Sequence, residues 1–461
     1  MGQAYRLHFP KRAPTVIMEG MARIVVSVMP FAGHVAPTTG VVASLLARGH
    51  TVTVYTGSRY AARFERLGAT VVPWTLAPDF DEHNLRATFP AVGRGGPRGV
   101  LANLEHVFVR TAEGQARDLL ELWDTAEWDL IVSDVMSLGA GLAAEKLDQP
   151  WATLSVLPLS MPSAAVPPAG LGLQPGTGGF GTIRDGALRG VSRLLSRPLE
   201  RAHRSVRRAL GLPAPARRVD RAWYSPWLVL ASGCRLLEFP RDDLPPEVHF
   251  VGRLPAAAGS GVPLPEWWQR LARAHDPTVL VTQGTFNTDP TQLLKPTLQA
   301  LAGEAVTVVA TTGSVTDDTL PFTVPANALV AGLVPFSEVL PLTDVMVTNG
   351  GWGGVLDALS RGIPLIIAGG DLDKPDIAAR VDYARAGVDL NTGRPTARAV
   401  ADAYRRVSSQ PSFAERARKV AAELDRCGGT ERAVDLLEEL TRRREPVLRQ
   451  VANPWRPDAS K

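Results

Sequence analysis

The stretch "RIVVSVMPFAGHVAPTTGVVASLLARGHTVTVYTG", residues 23–57, predicts how the N-terminal half of the chain folds. An apolar run over Ile24–Met29 ends at a proline, a helix is predicted over Thr38–Arg48, and a second apolar run covers Thr51–Tyr55. Continuous apolar strands separated by a helix are typical of parallel sheets that are covered on both faces. A lone histidine, His34, follows the first of these strands in what we predict to be a loop of small residues.

The same alternation of strands and helices continues along the chain. Further strands are predicted at Leu130–Ser133, Ala152–Val156, Leu228–Ala231, Thr278–Thr282, Val306–Ala310, Ala328–Val330, Val345–Thr348 and Pro364–Ile367. A chain of 461 residues is too long for one ordinary core. We therefore predict an α/β protein with two Rossmann-like, doubly wound parallel-sheet domains that face an interdomain cleft, where such sheets bind ligands.

Composition shifts mark the predicted boundaries of the domains. We expect a disordered leader over 1–20, an N-terminal domain over 21–240, a linker rich in Pro, Gly and Ala over 241–265, a C-terminal domain over 266–445 and a tail over 446–461. The last helix of the C-terminal domain is expected to return to the N-terminal domain.

Charge and cysteine content narrow the possible partners. The net charge is only +4, and clusters such as "RAHRSVRR", residues 201–208, are interpreted as a solvated helix face, so no nucleic-acid partner is expected. No apolar run reaches the length of a membrane span, so we expect no stable membrane insertion. The two cysteines, Cys234 and Cys427, have no metal-ligand spacing and are too few for a disulfide framework, which suits a cytoplasmic protein. We expect a monomer or a homodimer.

The strongest chemical signal is "DVMVTNGGWGGVLDALSRGIPLII", from Asp344 to Ile367. A buried strand is followed by four glycines and then by a helix, and the free N–H groups at a helix start favour a phosphate. The alternative is a glycine-rich turn that only tight strand–helix packing requires. The chain has neither a GxxxxGK[ST] loop nor a GxGxxG after its first strand, which argues against a P-loop ATPase and a NAD-dependent dehydrogenase.

The segment "VTNGGWGGVLDALSRGIPLIIAGGDLDKPDIAARV" resembles the donor-binding signature of the family 1 nucleotide-sugar-dependent glycosyltransferases, and "MPFAGHVAPTTGVVASLLARGHTVTVYTG" resembles their first strand, loop and helix. The resemblance is greatest to the bacterial natural-product and macrolide branch. It implies the GT-B fold, with an acceptor-binding N-terminal domain and a nucleotide-sugar-binding C-terminal domain. It also implies an inverting, metal-independent hexosyltransferase that moves a sugar from a UDP- or dTDP-sugar to a hydroxyl of a small hydrophobic acceptor, without another cofactor.

The resemblance assigns the catalytic pair. His34 matches the general base that removes the acceptor proton, and Asp134 matches the acidic residue that orients the imidazole. A carboxylate in that position fixes the tautomer and stabilises the imidazolium as it forms. The alternative for His34 alone is a hydrogen-bonded loop histidine.

The resemblance also implies the donor-binding residues, which depart from the family pattern at two positions. They are Gly33, Gly284, Thr285, Leu333, Val334, Asn349, Gly350, Gly351, Gly353, Gly354, Asp373 and Lys374. Asn349 stands where many relatives have histidine, and Lys374 stands where many have glutamine, so the identity of the donor stays open. The "DLD" at 371–373 has the pattern of the metal-binding DxD motif. That motif belongs to a different glycosyltransferase fold, so no metal is expected here.

Aromatic residues are the candidates for the acceptor wall. Phe80, Phe89 and Phe108, together with the loop at 158–182, fall where the family builds that wall, and such residues suit a flat or greasy acceptor. Ordinary core packing is the alternative for all of them. Two other functions also stay open, a sugar-nucleotide epimerase of the same fold and a non-catalytic helper of a glycosyltransferase.

Overall fold

The computed structural model describes residues 21–93, 96–257, 262–284, 287, 289–313 and 319–450. The predicted leader, 1–20, and most of the predicted tail, 446–461, lie outside these residues. Within the described part of the chain, no helix is both long and apolar enough to cross a membrane.

Thirteen strands of the described residues form two sheets in which every pairing is parallel. The first sheet has the order β3-β2-β1-β4-β5-β6-β7, from β1 (Arg23–Ser27), β2 (Thr51–Thr56), β3 (Thr70–Pro73), β4 (Leu130–Asp134), β5 (Trp151–Ser155), β6 (Leu228–Ser232) and β7 (Val248–Gly252). The second has the order β10-β9-β8-β11-β12-β13, from β8 (Thr278–Thr282), β9 (Thr307–Thr311), β10 (Ala328–Ala331), β11 (Val345–Thr348), β12 (Leu365–Ile367) and β13 (Gly387–Asp389). The prediction of two doubly wound sheets is confirmed.

Helices cover both faces of the sheets. In the first half they are α1 (Ala32–Ala47), α2 (Ala61–Glu65), α3 (Leu85–Thr88), α4 (Gly96–Asn103), α5 (Ala112–Thr125), α6 (Leu138–Leu147), α7 (Gly178–Leu195), α8 (Arg197–Ala209) and α9 (Val219–Ala222), with a π-helical segment at Leu104–Val109. In the second half they are α10 (Trp268–Ala272), α11 (Leu294–Leu301), α12 (Phe336–Val339), α13 (Trp352–Leu359), α14 (Lys374–Tyr383), α15 (Ala397–Ser409), α16 (Pro411–Arg426) and α17 (Gly429–Arg443). Short 3₁₀ turns lie at Ser58–Tyr60, Glu82–Asn84, Arg235–Leu237 and Leu340–Leu342.

Each of the ten predicted strands is present, and the three that were not predicted, β3, β7 and β13, all lie at a sheet edge. An edge strand pairs on one side only, so it is often short and its apolar signal is weak. β13 has three residues, and β3 has no fully buried residue. β7 lies inside the predicted linker, 241–265. Its apolar run is short and follows residues rich in proline and aspartate, which are typical of a linker, so no strand was predicted there. That part of the linker is therefore a strand of the first sheet.

The start of α1 corrects the sequence-based prediction. The helix begins at Ala32, six residues before the predicted Thr38, so His34 lies in its first turn and not in a loop. The prediction stopped short because of Pro37. Its ring removes a single backbone hydrogen bond, to the carbonyl of Gly33, while its fixed φ angle suits a helix, so the helix runs through it.

Contacts between the two halves of the chain hold the sheets around a common cleft. Trp352, the first residue of α13, donates its indole N–H to the hydroxyl of Ser232 at the end of β6, at 2.9 Å. Since a strand end of the first sheet meets a helix start of the second, the carboxyl ends of both sheets face the same space.

The last helix packs on the first sheet. Its apolar residues Val434 and Leu437 share a core with Leu45 of α1. On the surface of the same contact, Arg48 is paired with Glu431 and Asp435, each at 2.7 Å. α17 therefore ties the C-terminal end of the chain to the N-terminal half.

Candidate active site

His34 and Asp134 meet at the point where the strand order of the first sheet reverses. His34 lies in the first turn of α1, directly after β1, and Asp134 is the last residue of the neighbouring strand β4. Nδ1 of His34 is 2.8 Å from Oδ2 of Asp134 and 3.0 Å from Oδ1. In doubly wound sheets this reversal leaves a crevice outside the carboxyl ends of the strands, where ligands bind.

Backbone groups hold the Asp134 carboxylate in place. It is 1% exposed and accepts hydrogen bonds from the N–H groups of Met29, at 3.0 Å, and Met136, at 3.2 Å. Because the carboxylate binds Nδ1, the Nδ1–H tautomer of His34 is favoured. The other ring nitrogen, Nε2, has no hydrogen-bond partner among the described residues and is left to accept a proton.

Three carboxylates set the charge state of His34. Burial lowers its pKa, but the charge and hydrogen bond of Asp134 outweigh this effect, and Asp373 and Glu82 act in the same direction. The pKa of His34 is therefore raised above its ordinary value of 6.5. Asp373 belongs to the C-terminal half of the chain, so both halves contribute to the field around this imidazole.

Glu82 is a member of the site that the sequence did not reveal. Its side chain is buried, accepts the backbone N–H of Ala32 at the start of α1 at 3.0 Å, and accepts the hydroxyl of Tyr60. A carboxylate at a helix N-terminus stabilises the free N–H groups there. No motif or periodicity singles out this residue, because its partner lies fifty residues earlier in the chain.

An aromatic group lies beside His34, and its central ring, Phe31, was not predicted. The Phe31 ring is 5.8 Å from the His34 ring, 5.2 Å from Phe80 and 5.7 Å from Phe108, between centroids. Phe108 is half-buried on the π-helical segment. Phe80 and Phe89 are 5% and 8% exposed and belong to the core of the first sheet. Phe31 and Phe108 are thus the members of this group that remain partly exposed.

The second sheet repeats the arrangement of the first. Its strand order reverses between β8 and β11, where Gly284 and Asn349 follow the two strand ends. The Asn349 side chain donates a hydrogen bond to the carbonyl of Gln283. A Cβ atom at Gly284 would lie 3.3 Å from the side-chain nitrogen of Asn349. Gly284, with φ +74°, therefore permits the close approach of these two strand ends. Thr285 lies outside the described residues.

The four glycines after β11 differ in what they do. Gly350 has φ +89°, and a Cβ there would lie 2.8 Å from a methyl group of Ile367, so this glycine is required by the backbone. By contrast, a Cβ at Gly351 or Gly353 would meet no atom within 4 Å. Gly354 packs in ordinary contact against Phe336. The space beside Gly351, the residue that precedes α13, is open at the N-terminus of that helix, as the binding of a phosphate requires.

Asp373 and Lys374 lie at the start of α14, which faces the same cleft. Lys374 pairs with Asp371 through Nζ at 2.6 Å. Burial raises the pKa of Asp373 above its ordinary value, although the positive charges of His34 and Lys374 oppose this change. His34 and Asp373, one in each half of the chain, are therefore near enough for each charge to act on the other.

The remaining predicted donor residues lie at the ends of other elements. Leu333, which is half-buried, and Val334, which is 6% exposed, lie in the loop between β10 and α12. Gly33 is exposed in the first turn of α1, beside His34. Within the described ranges, no group of three or more His, Cys, Asp or Glu side chains is arranged to hold a metal ion.

Comparison with known proteins identifies relatives over almost the whole chain. The model of the "Erythromycin biosynthesis protein CIII-like, C-terminal domain" family matches residues 296–439. The 4'-demethylrebeccamycin synthase of Lentzea aerocolonigenes is 37% identical over 91% of this chain and 99% of its own length. UDP-glucosyltransferase B1 of Starmerella bombicola is 31% identical over 90% of this chain and 96% of its own length.

The crystal structure of CalG4, the calicheamicin glycosyltransferase, superposes with a TM-score of 0.72 over 92% of this chain and 99% of that chain. At 23% identity, this likeness establishes the two-domain fold alone. The sequence identity to the 4'-demethylrebeccamycin synthase and to UDP-glucosyltransferase B1, over nearly their full lengths, establishes the family. The chain belongs to the GT-B nucleotide-sugar glycosyltransferases related to erythromycin biosynthesis protein CIII.

Proposed function

We propose that this glycosyltransferase moves a sugar from a UDP- or dTDP-sugar to a hydroxyl group of a small hydrophobic natural product, with inversion at the anomeric carbon and without a metal ion. The observation that carries the proposal is the His34–Asp134 pair, with Nδ1 2.8 Å from Oδ2, placed opposite Asp373 of the other half of the chain. The names of the relatives, a rebeccamycin synthase and a UDP-glucosyltransferase, support this choice of acceptor and donor.

His34 would act as the general base. Nε2 takes the proton of the acceptor hydroxyl while the acceptor oxygen forms a bond to the anomeric carbon. The bond from that carbon to the diphosphate oxygen breaks in the same displacement, which inverts the configuration. Asp134 stabilises the imidazolium that results, and the raised pKa of His34 is the sign of that stabilisation.

The start of α13 would receive the departing diphosphate. The negative charge that develops on the leaving oxygen meets the free N–H groups and the positive dipole end of this helix. Gly351 and Gly353 leave room for the phosphate groups to approach the backbone. Asn349 directly precedes the run of glycines that begins at Gly350, and Cβ of Lys374 lies 3.6 Å from where a Cβ of Gly350 would be. The two residues would supply an amide donor and a cation. These groups perform the neutralising role for which other transferases use a metal ion.

These positions support a separate substrate-binding role for each domain. We assign acceptor binding to residues 21–240, which carry His34 and the Phe31–Phe108 contact, and nucleotide-sugar binding to residues 266–445, which carry the glycines and Lys374. Because each sheet ends at the cleft, both substrates would lie between the domains, and closure around them would exclude water.

A transfer assay read by mass spectrometry tests this proposal. Several UDP- and dTDP-sugars are paired with phenolic, macrolide and polyketide acceptors, with and without EDTA. We expect a gain of one hexose or deoxyhexose mass that survives the chelator, and NMR of the product should give the anomeric configuration opposite to that of the donor. Loss of all activity with EDTA contradicts metal independence, and retention of configuration contradicts single displacement.

A further inference from the structure

The outer face of α7 exposes large apolar side chains to solvent. Phe180 is 93% exposed, Ile183 70%, Val191 and Leu194 each 53%, and Leu195 47%. At 100° per residue these positions, with Ala187 between them, share one side of the helix. Arg184, which is paired with Asp185 at 2.8 Å, is the one charged residue within this arc. Soluble proteins rarely leave so many large apolar side chains exposed on one helix, and such a face marks an interaction surface.

A group of arginines lies along one side of this face, next to Leu194. Between Arg184 and Arg221 the chain has eleven arginines and three acidic residues, although the whole chain has a net charge of only +4. A depression of about 750 Å³ next to Leu194 is lined by five arginines and one carboxylate, Glu200, which is paired with Arg218 at 3.2 Å. The arginines are Arg193, Arg197, Arg204, Arg217 and Arg218. Arg193 and Arg197 are exposed and have no carboxylate partner among the described residues. The surface therefore combines an apolar strip with a concentrated positive charge.

We propose that α7 and α8 form a docking surface for an anionic lipid bilayer, into whose headgroup region the apolar face of α7 inserts. An amphipathic helix with an exposed apolar face and neighbouring arginines has the properties of an interfacial membrane helix. Each arginine near an anionic leaflet is attracted to it, and the arginine-lined depression can receive lipid phosphates. A second copy of this chain is the less favourable occupant, because a two-fold contact through this face would place arginines against arginines.

The position of α7 connects this surface to the cleft. In the segment that leads into α7, the backbone N–H groups of Gly170 and Gly172 donate to the carboxylate of Asp376 in α14, at 2.5 and 2.7 Å. Gln174 donates to Asp382 of the same helix at 2.7 Å. α14 begins with the predicted donor residue Lys374. A protein docked through α7 would therefore hold one wall of its cleft next to the lipid surface.

Vesicle flotation with the full chain tests the proposal. Vesicles of phosphatidylcholine alone are compared with vesicles that contain phosphatidylglycerol, at low and at high salt. We expect roughly tenfold more protein on the anionic vesicles, and most of it should dissociate at 0.5 M salt, where charges are screened. Absence of flotation with anionic vesicles, or equal flotation with neutral ones, overturns the proposal.

Two double variants locate the binding surface. Ile183→Ser/Leu194→Ser removes apolar area, and Arg193→Glu/Arg197→Glu reverses two charges. Each should lower the bound fraction at least about fivefold, since each removes one of the two attractive contributions. The matched controls, Leu264→Ser and Arg398→Glu, change exposed residues elsewhere and should bind as the unchanged protein does.

The thermal midpoint and the transfer rate to a water-soluble acceptor should be the same in all these variants, so a loss of flotation is not a loss of folding. If the double variants float as well as the unchanged protein does, the proposed surface is wrong. Sedimentation velocity of the lipid-free chain supplies a further test. Self-association that Ile183→Ser/Leu194→Ser abolishes would identify a second copy as the occupant and would also overturn the proposal.

Discussion

His34 and Asp134 are one hundred residues apart in the sequence, and Nδ1 of the first lies 2.8 Å from Oδ2 of the second. The pair forms because β1 and β4 are neighbours in the sheet although the chain visits β2 and β3 between them. Gly284 and Asn349 meet for the same reason between β8 and β11. Both halves of the proposed site therefore arise where a doubly wound sheet reverses its strand order.

Replacing His34 should separate catalysis from donor binding. His34→Ala is expected to lower the rate of transfer to hydroxyl acceptors by about two to four orders of magnitude, the usual contribution of a general base. The affinity for the nucleotide sugar, measured by calorimetry, should be nearly unchanged. His275→Ala, at an exposed position, is the control. Transfer by His34→Ala at the rate of the unchanged protein would show that another group is the base.

The pH profile should report the raised pKa of His34. The neutral imidazole is the active form, so kcat/KM should rise with pH and level off above the pKa, which lies above 6.5. Asp134→Asn removes the carboxylate that favours the protonated ring, so the inflection should move to lower pH and the plateau should fall. An inflection at the same pH in both proteins would mean that the Asp134 carboxylate does not act on the titrating group.

Two neighbouring glycines should respond differently to substitution. A Cβ atom at Gly351 would meet no protein atom within 4 Å, so Gly351→Val should hardly change the thermal midpoint. The new side chain would occupy the space left for the diphosphate and weaken nucleotide binding. Gly350→Val would force a branched residue into φ +89° and against Ile367, and should lower the midpoint clearly. Unchanged nucleotide affinity in Gly351→Val would refute the phosphate-binding role of the loop.

A negative charge at position 349 should weaken donor binding. Asn349→Asp keeps the size of the side chain but removes the amide that donates to Gln283 and adds a negative charge close to the expected diphosphate. We expect the dissociation constant for the nucleotide to rise by about tenfold or more, with a smaller effect at high salt. The same substitution at Asn391, on an exposed loop of the same domain, serves as the control. Equal effects of the two variants would contradict the placement of Asn349 at the phosphates.

A buried ion cluster should stabilise the contact between the domains. The Glu238 carboxylate accepts from Arg241 at 2.7 Å and from Arg380 of α14 at 3.3 Å, and all three side chains are 5% exposed or less. Glu238→Gln leaves two buried guanidinium groups without a counter-charge, which should cost about 3–5 kcal/mol in the free energy of unfolding. Glu304→Gln, which breaks an exposed pair with Arg405, should cost about 1 kcal/mol or less. Urea titration of both variants measures these free energies of unfolding. Equal costs would mean that the cluster is not held as described.

The predictions from sequence succeeded where the signal is local. The buried central strands appear as continuous apolar runs, and the glycines after β11 stand together in one motif, so both were predicted. Of the four edge strands, only β10 was predicted. β3 and β13 were missed because an edge position needs neither a long nor a fully apolar segment, and β7 was assigned to the linker. The sequence also placed His34 in a loop, because a proline at position 37 normally argues against a helix.

The amino-acid sequence by itself determined the two parallel sheets, the glycine-rich turn and the family, since each depends on residues that are close together in the chain. The tertiary structure alone decided that Glu82 reaches the start of α1, that Phe31 lies against His34, and that Asp373 faces the same histidine from the other domain. The physical reason is that strand order, not sequence distance, sets which strand ends are neighbours. Packing of the two domains around the cleft then brings together side chains that no spacing along the chain relates.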